Sequence, residues 1–404
     1  MKNIPVLLKN VCLSGQDRPC ELLIENGVVA RLGRALSAGA ASVIDCGGNL
    51  LRPSLIDCHT HLDKAFIGAS GPIDGLMDAV MMTLDYQKAQ KPSEVRADIR
   101  RRGGRMLELE LSHGSGLVRS HVSVDPIWGM EAFYASCELR DAYAGRLDVQ
   151  LSVPYLADYA GAWAEAARAG RIDYIAGYPT VTPDYRAAVD RLFALAEQFA
   201  LPLDLHVDES DAPNAACFRY VLEKTIGTGM QGRVNCSHVT ALAALPDAEA
   251  EALAELCAEA QVSVVALPSC NMYLMGRGDR GLVRRGITRV DLLERAGVNV
   301  AIASDNIQDP FRPFGSGNML EEAYFTCQVL SRGSAEGMAG VLRMASENAG
   351  RASGRSDHFL REGAPANQLL LGAKSEKQAL IEQSDCLLLL KNGEIVRKKS
   401  DVDK

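Results

Sequence analysis

The chain has 404 residues, enough for one large barrel with an appendage rather than a single average domain. Hydrophobic residues make up 47% and charged residues 23%, an ordinary globular balance that excludes a disordered chain. With 43 Lys and Arg against 51 Asp and Glu the formal charge is −8, so neither nucleic acid nor anionic lipid is an expected partner.

Residues 6–8, 20–24 and 28–30 are short apolar segments, and the turn Glu25-Asn26-Gly27 precedes the third, a hairpin pattern rather than a helical one. From 51 to 360 the chain alternates apolar runs with stretches rich in Ala, Leu, Glu and Arg. The candidate strands are 54–58, 117–122, 147–153, 172–178, 203–207, 233–237, 262–267 and 298–304, separated by helical patterns such as 184–199 and 247–260. Eight such repeats predict an α/β fold, a parallel (β/α)8 TIM-like barrel over 51–360, because strands inside such a barrel read as continuous apolar runs. Met81 and Met82 fall on a helical stretch and are expected in the core, as is Trp128. Residues 368–371, 386–390 and 394–396, with the turn Lys391-Asn392-Gly393, repeat the hairpin pattern. Segments 1–50 and 361–404 are therefore expected to join in one small discontinuous β domain, since domain termini often lie close together.

Seven histidines are present, and His59, His61, His206 and His238 stand at the ends of candidate strands, as does His121 on the second. His59 and His61 follow the first strand two residues apart, a spacing that puts both side chains on one face of a strand. His206 ends the fifth strand, His238 the sixth, and Asp305 the eighth. Spacings of 145, 32 and 67 residues separate His61, His206, His238 and Asp305, near four, one and two strand–helix units. All five groups thus belong at the C-terminal mouth, where barrels of this kind build their sites. Imidazole and carboxylate donors together suit a first-row divalent metal.

The set His59-x-His61, His206, His238 and Asp305 resembles the amidohydrolase superfamily, and within it the cytosine deaminases and N-isopropylammelide hydrolases. Long stretches carry the likeness: His59-Thr60-His61-Leu62-Asp63-Lys64, His206-Val207-Asp208-Glu209, Asn271-Met272-Tyr273-Leu274-Met275-Gly276-Arg277 and Gly315-Ser316-Gly317-Asn318-Met319-Leu320. The resemblance implies that the terminal hairpins form a small β-sandwich. It also implies metal ligation by His59, His61, His206 and Asp305, with Glu209, His238 and Asp305 as the catalytic groups. Two-metal relatives bridge their ions with a carbamylated lysine from the fourth strand. No lysine occurs between Lys91 and Lys224, so one divalent ion, Zn2+ or Fe2+, is expected.

The expected reaction is hydrolysis of an exocyclic C–N bond on a small nitrogen heterocycle. Removal of an alkylamine from an s-triazine and opening of a cyclic amide are the alternatives. A mononuclear iron oxygenase would need only two His and one carboxylate, so the fuller set favours hydrolysis. Cytosine deaminases carry a substrate-reading Gln after the third strand, where this chain has Val153-Pro154-Tyr155, and an Asp and a Trp where it has Asn306 and Phe311. Tyr155, Asn306, Phe311, His121 and Lys64 are the expected substrate contacts, and the departures point away from unmodified cytosine. Arg277 and Arg284 are expected on a solvated face.

No apolar run reaches the roughly 18 residues of a membrane helix and residues 1–5 hold no secretory core, so a cytoplasmic location is expected. The 11 cysteines include no Cys-x-x-Cys pair, and Cys58, Cys236 and Cys270 are expected as core thiols. A homo-oligomer is compatible with the acidic surface.

Overall fold

The computed structural model describes residues 4–400 apart from 17, 38, 40 and 41. The outermost ends of the expected terminal segments, residues 1–3 and 401–404, lie outside the described residues. The terminal strands are β1 (Val6–Cys12), β2 (Cys20–Glu25), β3 (Val28–Gly33), β4 (Ser42–Pro53), β13 (Gln368–Leu371), β14 (Cys386–Lys391) and β15 (Glu394–Lys398). They form one seven-stranded sheet in the order β15-β14-β13-β4-β1-β2-β3. Strand β4, which the apolar patterning did not single out, pairs with β1 on one side and β13 on the other, so it joins the two ends of the chain. Leu8, Leu22 and Ile44 from one end and Leu370, Leu388 and Leu390 from the other share one buried apolar cluster.

The second sheet has eight strands in sequence order: β5 (Leu55–Thr60), β6 (Ser115–His121), β7 (Asp148–Pro154), β8 (Tyr174–Gly177), β9 (Leu203–Val207), β10 (Val234–His238), β11 (Ser263–Ala266) and β12 (Val300–Ile302). Each neighbouring pair is parallel. A bridge between Thr60 and Asp305 closes the ring. This is the expected (β/α)8 barrel. Alternation organises each strand: Leu203, Leu205 and Val207 of β9 pack outward in the large core cluster, which leaves Asp204 and His206 to face the interior. A smaller cluster of Ile56, Cys58, Leu117, Val265 and Ala301 fills the barrel axis.

Two helices, α1 (Leu76–Ala89) and α2 (Pro92–His113), stand between β5 and β6 where the repeat needs one. Helix α2 starts on Pro92 at its first turn and ends on Gly114 in a left-handed C-cap, the usual punctuation of a long helix. Helix α1 fully buries only Ala79, Thr83 and Gln87. Met81 is 49% exposed, so the core placement expected for it does not hold: α1 lies over the barrel mouth and turns Met81 to solvent. Trp128 is buried, as are Cys58, Cys236 and Cys270. Among the described residues no helix is long and apolar enough to cross a membrane.

Candidate active site

Two departures from regular strand geometry assemble the histidines. In the pairing of β5 with β6, Asp57 aligns with Val118 but Thr60 with Ser120, so one extra residue is accommodated between them. Such a bulge re-aims side chains, and here it lets Cys58 remain in the axial cluster while His59 and His61 both reach the mouth. In β10, strict alternation would send His238 outward with Val234 and Cys236. His238 instead adopts a left-handed φ of 68° and its ring lies 5.1 Å from that of His206. Asp305 is likewise left-handed at φ 61°. Non-glycine residues in this region cost of order 1–3 kcal/mol each and persist where the surroundings over-determine them.

One donor atom from each of His59, His206, His238 and Asp305 lies within 4.8 Å of the others. His61 Nε2 is 3.2 Å from Asp305 Oδ1, and His59 Nε2 is 3.4 Å from the same oxygen. Ser237 Oγ meets His59 Nδ1 at 2.8 Å, which leaves Nε2 for the centre of the cluster. His59 Nε2, His206 Nδ1 and His238 Nε2 are buried without a hydrogen-bond partner among the described residues. Buried polar atoms left unpaired are costly, and a divalent cation would satisfy several of these at once. Burial and the neighbouring His121 push His59 down to about 4, and burial holds His61 and His206 well below the ordinary imidazole range. All three are therefore neutral donors. Burial alone would raise Asp305, but the His59 and His61 contacts hold it well below the usual carboxylate range. The donor set thus fits a metal ion.

His121 lies behind this cluster. Its ring is 4.1 Å from that of His59, and its Nε2 is 3.1 Å from Asp204 Oδ2, which also faces Arg119 Nε at 2.9 Å. Burial opposes ionisation of Asp204, but Arg119 and His121 outweigh it and lower its pKa.

Glu209 is 15% exposed and sits beside the cluster, with Oε1 3.3 Å from His238 Nδ1. Asn271, in the first turn of the helix Pro268–Leu274, donates from Nδ2 to the same oxygen at 3.2 Å. Burial, reinforced by the charge on Asp305, raises Glu209 to about 7. A group poised there can give and take a proton at neutral pH. Lys64 Nζ lies 3.2 Å from His61 Nδ1 and 5.6 Å from the centre of the Phe311 ring. Burial alone would lower the Lys64 ammonium, but Tyr178, Asp63, Asp309 and Asp305 around it raise it, so it remains a cation. Asn306 donates to Asp309 at 2.5 Å, and burial lifts Asp309 to about 7.

These groups open on a cavity of about 480 Å3. His61, His206, His238, Asp305, Glu209, Lys64, Asn306 and Phe311 all line it. Tyr155 and His121 do not. Tyr155 shares the outward parity of Leu151 and Val153 and packs its ring 5.5 Å from Trp163, while Pro154 lines the cavity in its place. Arg284 pairs with Asp279 and is exposed, on the solvated face expected for it. The sequence pattern does not single out Tyr178, whose ring lies 4.5 Å from that of His206, nor Gln87 and Asp125, which line the cavity. Tyr178 ends the fourth candidate strand just as His206 ends the fifth, so the same strand-end rule could have found it.

The sequence pattern of the Amidohydrolase family matches residues 145–397, more than half of the chain. A pterin deaminase from Rhizobium rhizogenes is 27% identical over 394 residues, covering 93% of this chain and 87% of that protein. The crystal structure of 5-methylcytosine deaminase from Klebsiella pneumoniae, liganded with 5-fluorocytosine, superposes with a TM-score of 0.89 at 26% identity over 98% of each chain. That of N-isopropylammelide isopropylaminohydrolase from Burkholderia multivorans gives 0.84 at 26% identity, covering 97% of this chain and 98% of that one.

Proposed function

The chain belongs to the amidohydrolase family, and from that premise we propose that it hydrolyses an exocyclic C–N bond of a small nitrogen heterocycle, using one divalent ion. The observation that carries this reading is Glu209, poised near 7 between Asn271 and His238 and facing the same cavity as the His/Asp cluster.

His59, His61, His206 and Asp305 would hold the ion, Zn2+ or Fe2+. Bound there, such an ion lowers the pKa of a coordinated water from 15.7 to about 7 and so supplies a nucleophile at neutral pH. The residues do the rest. Glu209 Oε1 is occupied by Asn271, which leaves Oε2 to protonate a ring nitrogen and make the adjacent carbon electrophilic. His238 orients the attacking water and holds its oxygen as the ring carbon becomes tetrahedral. Asp305, kept anionic by His59 and His61, takes the proton that the water releases. Glu209, now anionic, takes the remaining proton of the added hydroxyl and passes it to the departing nitrogen, and the proton on Asp305 restores Glu209, so that water and amino-heterocycle become the keto tautomer of the hydroxy-heterocycle and free amine.

Lys64, Asn306 and Phe311 would contact the ring. Leu76, Val80 and Leu84 of α1 also face the cavity, and this apolar wall favours, as the second reading, an alkylamino-substituted ring such as an s-triazine. Residues 51–360 would form the catalytic domain, with 1–50 and 361–404 as its supporting β domain. A cytoplasmic location is consistent with unpaired buried thiols such as Cys58, Cys236 and Cys257.

The test is amine release by metal-reconstituted protein from cytosine, 5-methylcytosine, pterin, and amino- and alkylamino-triazines. Release of ammonia or alkylamine with a hydroxylated ring is expected. A ring-opened product, or no product from any of them with the ion bound, would overturn the reading.

A further inference from the structure

Helix α1 turns Leu76, Val80, Thr83, Leu84 and Gln87 toward the cavity, at the spacing of one helical face. Gln87 is the one amide among them and is only 3% exposed. Its Nε2 donates to Asp125 Oδ2 at 3.0 Å. Asp125 is held in turn, because its Oδ1 accepts the backbone N–H groups of Ile127 at 2.8 Å and Trp128 at 2.9 Å. A carboxylate only accepts, so it can pair with the nitrogen end of the amide and not with the oxygen end. The orientation of Gln87 is therefore decided by its neighbour, and its Oε1 has no hydrogen-bond partner among the described residues. A buried carbonyl oxygen beside a substrate cavity, unpaired and unable to turn away, is an acceptor awaiting a donor. The exit of β7 offers no competing amide, since Tyr155 packs against Trp163 and Pro154 stands at the cavity wall.

We propose that Gln87 Oε1, locked in place by Asp125, is a specificity-determining acceptor that selects heterocycles bearing a ring N–H on an edge away from the departing amine. The inference rests on the amine-releasing reading of this site, and it adds that the ring is read from α1 rather than from the end of β7. A buried acceptor left unpaired costs about 1–3 kcal/mol, so a ligand lacking the N–H binds more weakly by about tenfold.

The experiment measures binding rather than turnover, by calorimetry on metal-reconstituted protein carrying Glu209→Gln. The probes are cytosine against 1-methylcytosine and 5-methylcytosine against 1,5-dimethylcytosine, each pair differing by one ring N–H remote from the amine. In at least one pair the N–H form is expected to bind at least tenfold more tightly. Adding Gln87→Met, close in size but without an acceptor amide, should narrow that gap below threefold by weakening the N–H form. Asp125→Asn should also abolish it. The asparagine Oδ1 stays on the two backbone donors, its Nδ2 then faces Gln87, and the glutamine amide turns over to present N–H groups to the cavity.

No gap in either pair, or a gap that survives Gln87→Met, overturns the proposal; a gap caused only by the bulk of the methyl group would survive in that way. If Gln87→Met fails to fold, a gap that survives Asp125→Asn overturns it. Amine release by the otherwise unaltered protein is scored separately. Discriminating binding without amine release would sink the reaction and leave the role of Gln87 standing.

Discussion

Asp305 and His59 are joined twice across the seam where the barrel closes. The Asp305 N–H donates to the His59 carbonyl at 2.8 Å, and Asp305 Oδ1 lies 3.4 Å from His59 Nε2. Barrel closure and assembly of the donor cluster are therefore one event. A bound ion that draws these side chains together also stabilises the ring, because it binds the closed form in preference to the unfolded chain.

Removing the ion with a chelator is expected to abolish amine release and lower Tm, by roughly 1–2 °C for each kcal/mol of binding lost. Elemental analysis should find one ion per chain. Two ions per chain, or an unchanged Tm and activity after complete removal, would contradict the arrangement drawn from His59, His61, His206 and Asp305.

Glu209→Gln should lower kcat by about 10²- to 10⁴-fold, the usual worth of a positioned acid–base group, with metal content unchanged. The amide can still accept from Asn271 but cannot carry the proton. Full activity with the ion retained would remove Glu209 from the reaction.

Tyr155→Phe should leave kcat/KM within about twofold, because the ring packs against Trp163 and not on the cavity. Trp163→Ala, by contrast, removes a fully buried side chain and should cost about 3–5 kcal/mol of stability, read by urea denaturation. A tenfold fall in kcat/KM for Tyr155→Phe would return that residue to the substrate.

Asp309 gives the stability a pH dependence of known sign. Burial raises its carboxyl from 3.8 to about 7, against the opposing hydrogen bonds from Asn306 and the Arg312 backbone. Between those values the folded protein holds a proton that the unfolded chain has lost, so stability falls as pH rises through the window. At about 1.4 kcal/mol per pH unit, the contribution has a ceiling of about 4 kcal/mol. Asp309→Asn should flatten this component, so the difference in unfolding free energy between variant and parent should move in favour of the variant from pH 4 to pH 8. A difference independent of pH would show that Asp309 is ionised throughout.

The sequence by itself determined which strands exist in the barrel and which residues end them. Apolar runs recur at strand–helix spacing, and a polar group that terminates such a run has nowhere to go but the mouth; His206 and Asp305 were legible for that reason. Strand β4 was not, because its first half alternates exposed and buried residues around Gly47 and Gly48 and becomes a strand only by pairing with β1 and β13. Side-chain direction at the site was decided by the tertiary structure alone. The extra residue between Asp57 and Thr60 and the left-handed backbone at His238 each override the alternation that sequence reasoning must assume. They are held by pairing with strands and side chains distant in the chain. Parity did carry information at Tyr155, which keeps the outward direction of Val153. The approach of α1 to the mouth has no local signature at all. Its apolar face reads as a core face, and only the placement of the helix over an open cavity turns Gln87 from an ordinary buried amide into an acceptor without a partner.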